Sequence, residues 1–240
     1  MGLTIHYRLA TDRTDAAAVR SLVQEFRRLA QPLPFQEVGE VIEFEGDQCR
    51  DDDQGDSHRW LKIQAGYFLE IGERFLHVAP LHVIAFTTIP GEGSEPANIG
   101  LARYPDSVSI EQGSKKRRVR TSLTGWHWKT FCKTQYASNP ECGGVANFIR
   151  CHLSVIGLLD AIKNRQLATV EVSDESDYWN HRNTRQLAET VGEWNQMVAA
   201  VVGEFKDAAA GGIIQAPITE FPNFEHLEAD GQRAIDKPSS

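Results

Sequence analysis

The sequence predicts a single α+β domain in which a mixed or antiparallel sheet packs against about three main helices. Three observations support this fold class. Several short segments alternate apolar and polar residues, which predicts strands, and others have apolar residues at helical spacing, which predicts amphipathic helices. One further segment of helical length is apolar on most sides. A chain of 240 residues allows one large domain or two small ones. We expect one domain at residues 1–212 and an irregular tail at residues 213–240, packed partly on the body.

The first 44 residues predict a β-α-β unit. Apolar and polar residues alternate from Leu3 to Leu9, as in a half-buried strand. Helical spacing follows over residues 15–30, and prolines at positions 32 and 34 end the helix. Apolar residues at positions 38–44 indicate a second strand. Such a unit is one half of a ferredoxin-like arrangement, with both strands parallel in one sheet.

The next region predicts an acidic loop and then mainly strands. Cys49 lies in the acidic loop at residues 46–59, where we expect a free surface thiol. Strands are expected over residues 60–88, and the unbroken apolar run at residues 81–86 is typical of a strand buried on both faces. Residues 90–100 form a long loop rich in glycine and proline, of the kind that is often functional.

A basic hairpin follows, and its second arm has the sequence KKRRVR at Lys115–Arg120. Alternate residues of a strand face opposite sides, so these charges are divided between two faces. The pattern favours a charged edge strand that discourages aggregation. A weaker alternative is contact with the phosphates of a nucleic acid.

Composition limits the classes of function. The chain has 33 acidic and 25 basic residues, a formal charge of -8, so a dedicated nucleic-acid binder is not expected. The N-terminus lacks the basic and apolar pattern of a signal peptide, and no apolar run reaches the roughly 18 residues of a membrane span. Four cysteines do not form a disulfide scaffold, and we expect a soluble cytoplasmic protein with reduced thiols.

The stretch from residue 125 to 175 concentrates the residues that carry chemistry. A strand over residues 126–136 would place His127, Lys129 and Lys133 in one line on one face, a platform for an anionic ligand or simply a solvated sheet face. Gly143 and Gly144 precede a helix over residues 145–163. The backbone N–H groups at this helix start could bind an anion, or the glycines could form a tight turn that requires positive φ.

Acid-base candidates lie on this helix and beyond it. His152 falls on the apolar face of the helix, which indicates either a buried neutral histidine or an acid-base group. Asp174 and Glu175 follow a short strand at residues 168–173, and Arg182 comes soon after them. This cluster indicates either acid-base or metal chemistry or a polar loop before a helix. A last helix starts near Asn183, so a second β-α-β-like half is plausible on topology alone.

The sequence gives little evidence for a metal site or a cofactor site. Cys132, Cys142, Cys151 and His152 are suitable zinc ligands by type, but the gaps of nine and eight residues between the cysteines are too long for a structural knuckle. A nucleophilic cysteine activated by histidine lacks a paired signature. No motif identifies a cofactor, and we expect no metal.

Three segments together resemble a family of uncharacterised bacterial proteins: KTQYAS at Lys133–Ser138, GGVANFIRCH at Gly143–His152 and VSDESDYWNHR at Val172–Arg182. The resemblance covers most of the chain. It implies no activity, so it transfers no catalytic residues.

The leading hypothesis is a cytosolic enzyme or a binder of a small anionic molecule that uses a polar cleft around residues 127–182. The alternative is a non-catalytic interaction module, with Trp60, Trp179 and the loop at residues 90–100 on one partner surface. Under the first hypothesis, Lys133, His152, Asp174 and Arg182 should line one pocket. Under the second, an exposed aromatic patch should be present.

Overall fold

A seven-stranded antiparallel sheet forms the centre of the molecule, as a computed structural model of residues 3–72, 74–112, 115–208 and 216–235 shows. The strands are β1 (Thr4–Thr11), β2 (Glu37–Val38), β3 (Ile42–Glu45), β4 (Tyr67–Ile71), β5 (Arg74–Val78), β6 (His82–Ile89), β7 (Ala97–Arg103), β8 (Ser107–Gln112), β9 (Lys115–Arg120), β10 (Trp126–Lys133) and β11 (Thr169–Asp174). The strand order in the main sheet is β11-β1-β10-β7-β6-β2, with β3 also paired to β6. Two further pairs, β4-β5 and β8-β9, form separate two-stranded sheets. The helices are α1 (Ala16–Ala30), α2 (Arg59–Ala65), α3 (Gly144–Asn164), α4 (Tyr178–His181), α5 (Thr184–Ala208) and α6 (Phe224–Ile235). The predicted single α+β domain is therefore confirmed.

The chain connections resemble the predicted β-α-β halves. Both β10 and β11 pair antiparallel with β1, so they run parallel to each other on either side of it. The unit β10-α3-β11 is thus a split β-α-β with β1 inserted between its strands. In the N-terminal unit, β1 and β3 also run in the same direction, but three strands separate them.

One face of the sheet carries the main core. Along β1, Ile5, Tyr7 and Leu9 are buried, while His6 and Arg8 point to the other face. The β10 pattern alternates in the predicted way, with Trp126 and Trp128 fully buried. Helices α1 and α3 supply the other side of this core. The apolar surface removed from water here is the dominant stabilising contribution to the fold.

Helix α3 is apolar because most of its surface is covered. It begins at Gly144, and both this glycine (φ 68°) and the preceding Gly143 (φ 101°) have left-handed backbone conformations. Nine of its residues are buried, among them Phe148, His152 and Leu159. It is the one helix among the described residues that is long and apolar enough to cross a membrane, and half of its most apolar stretch is buried inside the fold. Its nine buried residues, several of them in the main core, are what identify it as a core helix of this fold.

Some predicted elements differ from the structure. Residues 59–65 form helix α2 rather than a strand, because Leu61, Gln64 and Ala65 are buried together at helical spacing. Cys49 is 2% exposed rather than a surface thiol, and burial raises its pKa to about 11. The strand expected to reach residue 136 ends at Lys133 and passes into a 3-10 turn.

The region after α5 contains more structure than the irregular tail predicted for it. Helix α6 packs along α5, and the close approach leaves no room for a Cβ at Gly231, which would lie 2.1 Å from the Gln196 carbonyl oxygen. Phe221 and Phe224 are buried with α5 residues. Asn183 caps α5, since its Oδ1 accepts from the N–H groups of Arg185 and Gln186 in the first turn. The sequence predicts that Gly211 and Gly212 end this helix, and both lie outside the described residues.

The second face of the sheet is only partly covered. Helix α2 packs over β7, where the Asn98 side chain donates to Gln64 (2.8 Å) and the Tyr104 hydroxyl donates to the Ala65 carbonyl (2.7 Å). Gln64 of α2 also donates to the Phe131 carbonyl of β10 (3.2 Å). Beyond α2, the part of this face made by β1 and β11, with the exposed side chain of Lys129 on β10, remains open. Two separate places on the sheet are therefore candidates for a site: the end of β11 beneath α3, and the open face beside α2.

Candidate functional site

The first candidate is a cluster of four polar side chains, Thr134, His152, Asp174 and Ser176, here called the buried polar cluster. His152 Nδ1 hydrogen-bonds with the Thr134 hydroxyl at 3.0 Å, and His152 Nε2 lies 3.1 Å from Asp174 Oδ2. The Ser176 hydroxyl donates to Asp174 Oδ1 at 2.7 Å and lies 3.3 Å from His152 Nε2. The side chains of His152 and Asp174 are both 0% exposed.

Local structure explains why these groups meet. Asp174 is the last residue of β11, and its oxygens accept from the backbone N–H groups of Ser176 (2.9 Å) and Trp179 (3.0 Å), which turns the chain into α4. His152 lies on the sheet-facing side of α3, between Phe148 and Tyr178. Burial alone would raise the pKa of the Asp174 carboxyl, but the hydrogen bond and charge of His152 and the hydrogen bonds of Ser176 outweigh it, so this pKa is lowered.

Every polar group of the cluster is satisfied from within the protein. The geometry resembles a hydroxyl–imidazole–carboxylate triad, but Thr134, His152 and the Asp174 carboxylate have no exposed surface. A substrate would have to displace packed side chains to reach the ring. The cluster instead ties the end of β10, the middle of α3 and the end of β11 together.

The other residues predicted around this cluster lie elsewhere. Arg182 forms a bidentate pair with Asp160 (2.7 and 2.8 Å) and stacks over Trp179. Lys133 lies over the Tyr136 ring, and Glu175 accepts from the Thr4 N–H at 2.9 Å on the second face of the sheet. The predicted single pocket is therefore not formed: His152 and Asp174 meet, but Lys133 and Arg182 do not join them.

The predicted binding residues at the glycine turn and on β10 are also separated. Gly143 and Gly144 both have positive φ, and their N–H groups bond to the carbonyls of Pro140 and Asn139, so the alternative of a tight turn describes this segment. His127 hydrogen-bonds with the Thr124 carbonyl at 2.6 Å. Of the three residues on the predicted β10 platform, Lys129 alone is among those that line the large cleft described below.

The cysteines do not form a ligand set. All four are free thiols, and burial raises the pKa values of Cys132, Cys142 and Cys151. Among the described residues, no three His, Cys, Asp or Glu side chains are grouped so that they could hold a metal ion. The surface proposed for a protein partner is divided too. Trp60 lies on the open face, whereas Trp179 lies against Lys163 of α3, and the loop after β6 is held down by Arg150 and Asn147.

The second candidate is a cleft of about 590 Å³ on the uncovered part of the sheet, here called the open-face cleft. Its floor is formed by β1, β10 and β11, and its wall by α2 and β4. Its volume is in the range usual for small-molecule sites, roughly 300–1,000 Å³. The side chains that line it and matter below are His6, Arg8, Lys129, Phe131 and Glu171 on the floor, and Trp60, Ile63, Tyr67 and Phe68 on the wall.

Strand register places two cations side by side on the cleft floor. Arg8 lies directly opposite Lys129 on β10 and opposite Glu171 on β11. Arg8 Nη1 is 3.6 Å from the Glu171 carboxylate, and both side chains are partly exposed. Arg8 Nε is buried and has no hydrogen-bond partner among the described residues. Lys129 Nζ lies 5.6 Å from the centre of the Tyr67 ring.

Aromatic rings line the same cleft as these cations. Trp60 is 42% exposed and Phe68 is 60% exposed, although both are large apolar side chains. Phe131 lies next to His6, with ring centres 5.9 Å apart. An exposed aromatic patch is what the alternative of an interaction module predicts. Here the rings line a concave cleft together with two cations, which favours a site for a small ligand.

Sequence reasoning found Lys129 but missed most of the cleft. The alternation that places His6 and Arg8 on the second face is visible in the sequence, and so are the aromatic residues at positions 60, 67 and 68. Their convergence depends on β1 pairing with β10 across more than 110 residues, which no local pattern predicts. Comparison with known proteins gives no match, whether to a family model, a curated protein or a solved structure.

Proposed function

We propose that the protein binds a small aromatic anion, such as an aromatic carboxylate or phosphate, in the open-face cleft. The observation that carries this proposal is the Arg8–Lys129 pair, fixed side by side on the sheet among four aromatic rings. The ring of the ligand would lie against Trp60, Phe68 and Phe131. Its anionic group would lie between the two cations.

The hydrogen-bonding state of Arg8 supports binding of an acceptor group from a ligand. The Arg8 side chain is 38% exposed, and its Nε has no hydrogen-bond partner among the described residues. Glu171, at 3.6 Å and with its side chain 63% exposed, neutralises Arg8 only weakly. A ligand oxygen at the exposed part of the Arg8 guanidinium would add a charge-assisted hydrogen bond.

Lys129 and Arg8 are expected to differ in role. The planar guanidinium of Arg8 can orient a carboxylate or phosphate, whereas the Lys129 ammonium acts as a point charge. The Lys129 side chain is exposed, and its ammonium lies beside the Tyr67 ring at the wall of the cleft. Anions should therefore bind more tightly than neutral analogues of the same shape.

Isothermal calorimetry with 1-naphthoate, 1-naphthalenemethanol and a panel of one- and two-ring aromatic carboxylates and phosphates tests this. We expect the anions to bind at least about tenfold more tightly than the neutral alcohol, because a hydrogen bond to a charged group contributes roughly 1.5–3 kcal/mol. Lys129→Met should lower the affinity by about tenfold. Lys163→Met is the matched control, because Lys163 also lies over an aromatic ring, Trp179, but outside the cleft.

Two results would contradict the proposal. One is that no member of the panel binds at millimolar concentration. The other is that the neutral alcohol binds as tightly as the acid, or that Lys163→Met is as damaging as Lys129→Met.

We also propose a cytoplasmic location, which the four free thiols support. Thiol titration of the denatured protein, prepared without reductant, should give four thiols per chain. Two thiols would indicate a disulfide and contradict this location. Membership of the bacterial family that the chain resembles also stays a proposal, and a shared Arg8–Lys129 pair in that family would support it.

A further inference from the structure

The β8-β9 hairpin stands apart from the main sheet as its own two-stranded ribbon. Register places Arg120 opposite Ser107, Arg118 opposite Ser109 and Lys116 opposite Glu111. Directly paired residues point to the same side of a ribbon. Lys116, Arg118 and Arg120 therefore share one face, here called the basic face, while Arg117 and Val119 lie on the other.

The basic face points away from the body. On the opposite face, Val108 packs against the main core and Val119 is half-buried. Lys116, Arg118 and Arg120 are all exposed. The two apolar residues thus orient the ribbon, and its outward face carries three cations on alternate positions.

Among the side chains that the structure describes, which do not include that of Glu111, none forms an ion pair with Lys116, Arg118 or Arg120. Arginines elsewhere, such as Arg28, Arg165 and Arg182, each lie within 4 Å of a carboxylate. The basic face thus presents charge for which the described part of the fold supplies no partner.

The base of the ribbon adds hydroxyl groups to these charges. Arg118 Nε donates to the Ser107 hydroxyl at 2.5 Å, which fixes the guanidinium. Arg118 and Arg120 line a recess of about 780 Å³ together with three hydroxyl residues and one carboxylate: Ser107, Ser122, Thr124 and Asp106. Arginine and serine or threonine side chains are the usual contacts to the phosphates of nucleic acids.

From this arrangement we propose that the basic face binds duplex nucleic acid through its phosphates. A two-stranded β-ribbon is one of the elements that the major groove of DNA admits. The span from Lys116 to Arg120 is about 14 Å, and a duplex carries about one charge per 1.7 Å along its axis. No aromatic residue occurs in β8 or β9 on which unpaired bases could stack, which favours a duplex over a single strand.

The formal charge of -8 limits where contact can occur. The acidic surplus repels a polyanion over most of the surface, so binding should be weak, sequence-independent and confined to the basic face. With three phosphate contacts, log K should fall with log salt at a slope of about -2.7. Raising salt from 50 to 200 mM should then weaken binding by roughly 40-fold.

Fluorescence anisotropy with a labelled 24-base-pair duplex tests the proposal on the full chain. The triple variant Lys116→Gln/Arg118→Gln/Arg120→Gln should lose the salt-dependent binding, so that any residual binding has a slope near zero. The control Arg28→Gln/Arg50→Gln/Arg185→Gln removes the same charge from exposed positions elsewhere and should stay within about threefold of wild type. Arg117→Gln, on the other face, should also bind normally.

A milder variant keeps the test decisive if the triple variant folds poorly. Lys116→Gln/Arg120→Gln leaves the Arg118–Ser107 bond in place and should lower the slope by about two. The proposal is overturned by no anisotropy change up to roughly 100 µM protein at 50 mM salt. It is also overturned if the control triple variant loses as much affinity as the variant of the basic face. Tighter binding of a single strand of equal length, or of vesicles of anionic lipid, than of the duplex would overturn it as well. The open-face cleft is not involved, so neither proposal depends on the other.

Discussion

Strand β11 contributes to both candidate sites, and they differ in how their polar groups are satisfied. On the face beneath α3, Asp174 has a 0% exposed carboxylate that accepts two hydrogen bonds from Ser176 and one from Trp179, besides its contact with His152. On the other face, Glu171 is 63% exposed and 3.6 Å from Arg8, whose Nε has no partner in the described structure. A fully satisfied and enclosed group stabilises a fold. A partly satisfied group at an open surface is available to a ligand.

The two sites show that reactive residue types do not by themselves make a site available to a ligand. A histidine, a carboxylate and two hydroxyls lie together in the buried polar cluster, but low dielectric and internal hydrogen bonds fix them in place. The cleft holds an ordinary arginine and lysine, and its chemistry comes from exposure beside aromatic rings. The predictions below test this difference, beginning with the largest expected effect.

His152→Ala should destabilise the protein by about 3–5 kcal/mol, because it leaves the Asp174 carboxylate buried without its partner. Urea unfolding followed by circular dichroism measures this. The control is His6→Ala on β1, where the histidine is 51% exposed, and its effect should stay within about 0.5 kcal/mol. Equal effects of the two substitutions would remove the distinction between the two sites.

Acid should weaken the buried polar cluster in a defined direction. The pKa of Asp174 is lower in the folded protein than in the unfolded chain, so its contribution to stability is present above the unfolded value of about 3.9 and is lost as pH falls through the folded pKa. Between about pH 4 and pH 2, the free energy of unfolding should fall more steeply for wild type than for Asp174→Asn. Parallel curves for the two proteins would show that His152 and Ser176 do not lower the pKa of Asp174 in the folded protein.

Arg8→Leu should have the smallest effect on stability, about 0.5 kcal/mol or less, because it removes one member of a partly exposed pair. The same substitution should weaken binding of an aromatic anion by at least about tenfold. Urea unfolding and calorimetry on one protein sample give both values. A large loss of stability with unchanged binding would assign Arg8 to the fold rather than to the cleft.

The sequence predicts the local elements and the faces of the strands well. Helices α1, α3 and α5, the alternation of β1 and β10 and the placement of His152 on an apolar face all follow from periodicity. The proximity of His152 to Asp174 was also expected, and the two side chains are 3.1 Å apart. These features depend on residues that are close in sequence or on one helix–strand connection.

What the sequence does not predict depends on distant pairing and on burial. The sequence predicts a strand where helix α2 lies. Leu61 and Ile63 fit a strand alternation, but the segment is too short for this pattern to be distinguished from helical spacing. The enclosure of the Asp174 carboxylate is a property of the packed fold, and no spacing reveals it. Arg8 and Lys129 meet because the first strand inserts between β10 and β11, so the cleft is visible only in three dimensions.

The affinity of one aromatic carboxylate for wild type, Lys129→Met and Thr134→Val tests the central claim most directly. Thr134→Val removes only the hydroxyl that bonds with His152 Nδ1, so the fold should persist with a loss of about 1–3 kcal/mol. If the open-face cleft is the binding site, Lys129→Met weakens binding by about tenfold and Thr134→Val leaves it unchanged. Loss of binding in folded Thr134→Val, with full affinity in Lys129→Met, would contradict the account and assign binding to the buried polar cluster.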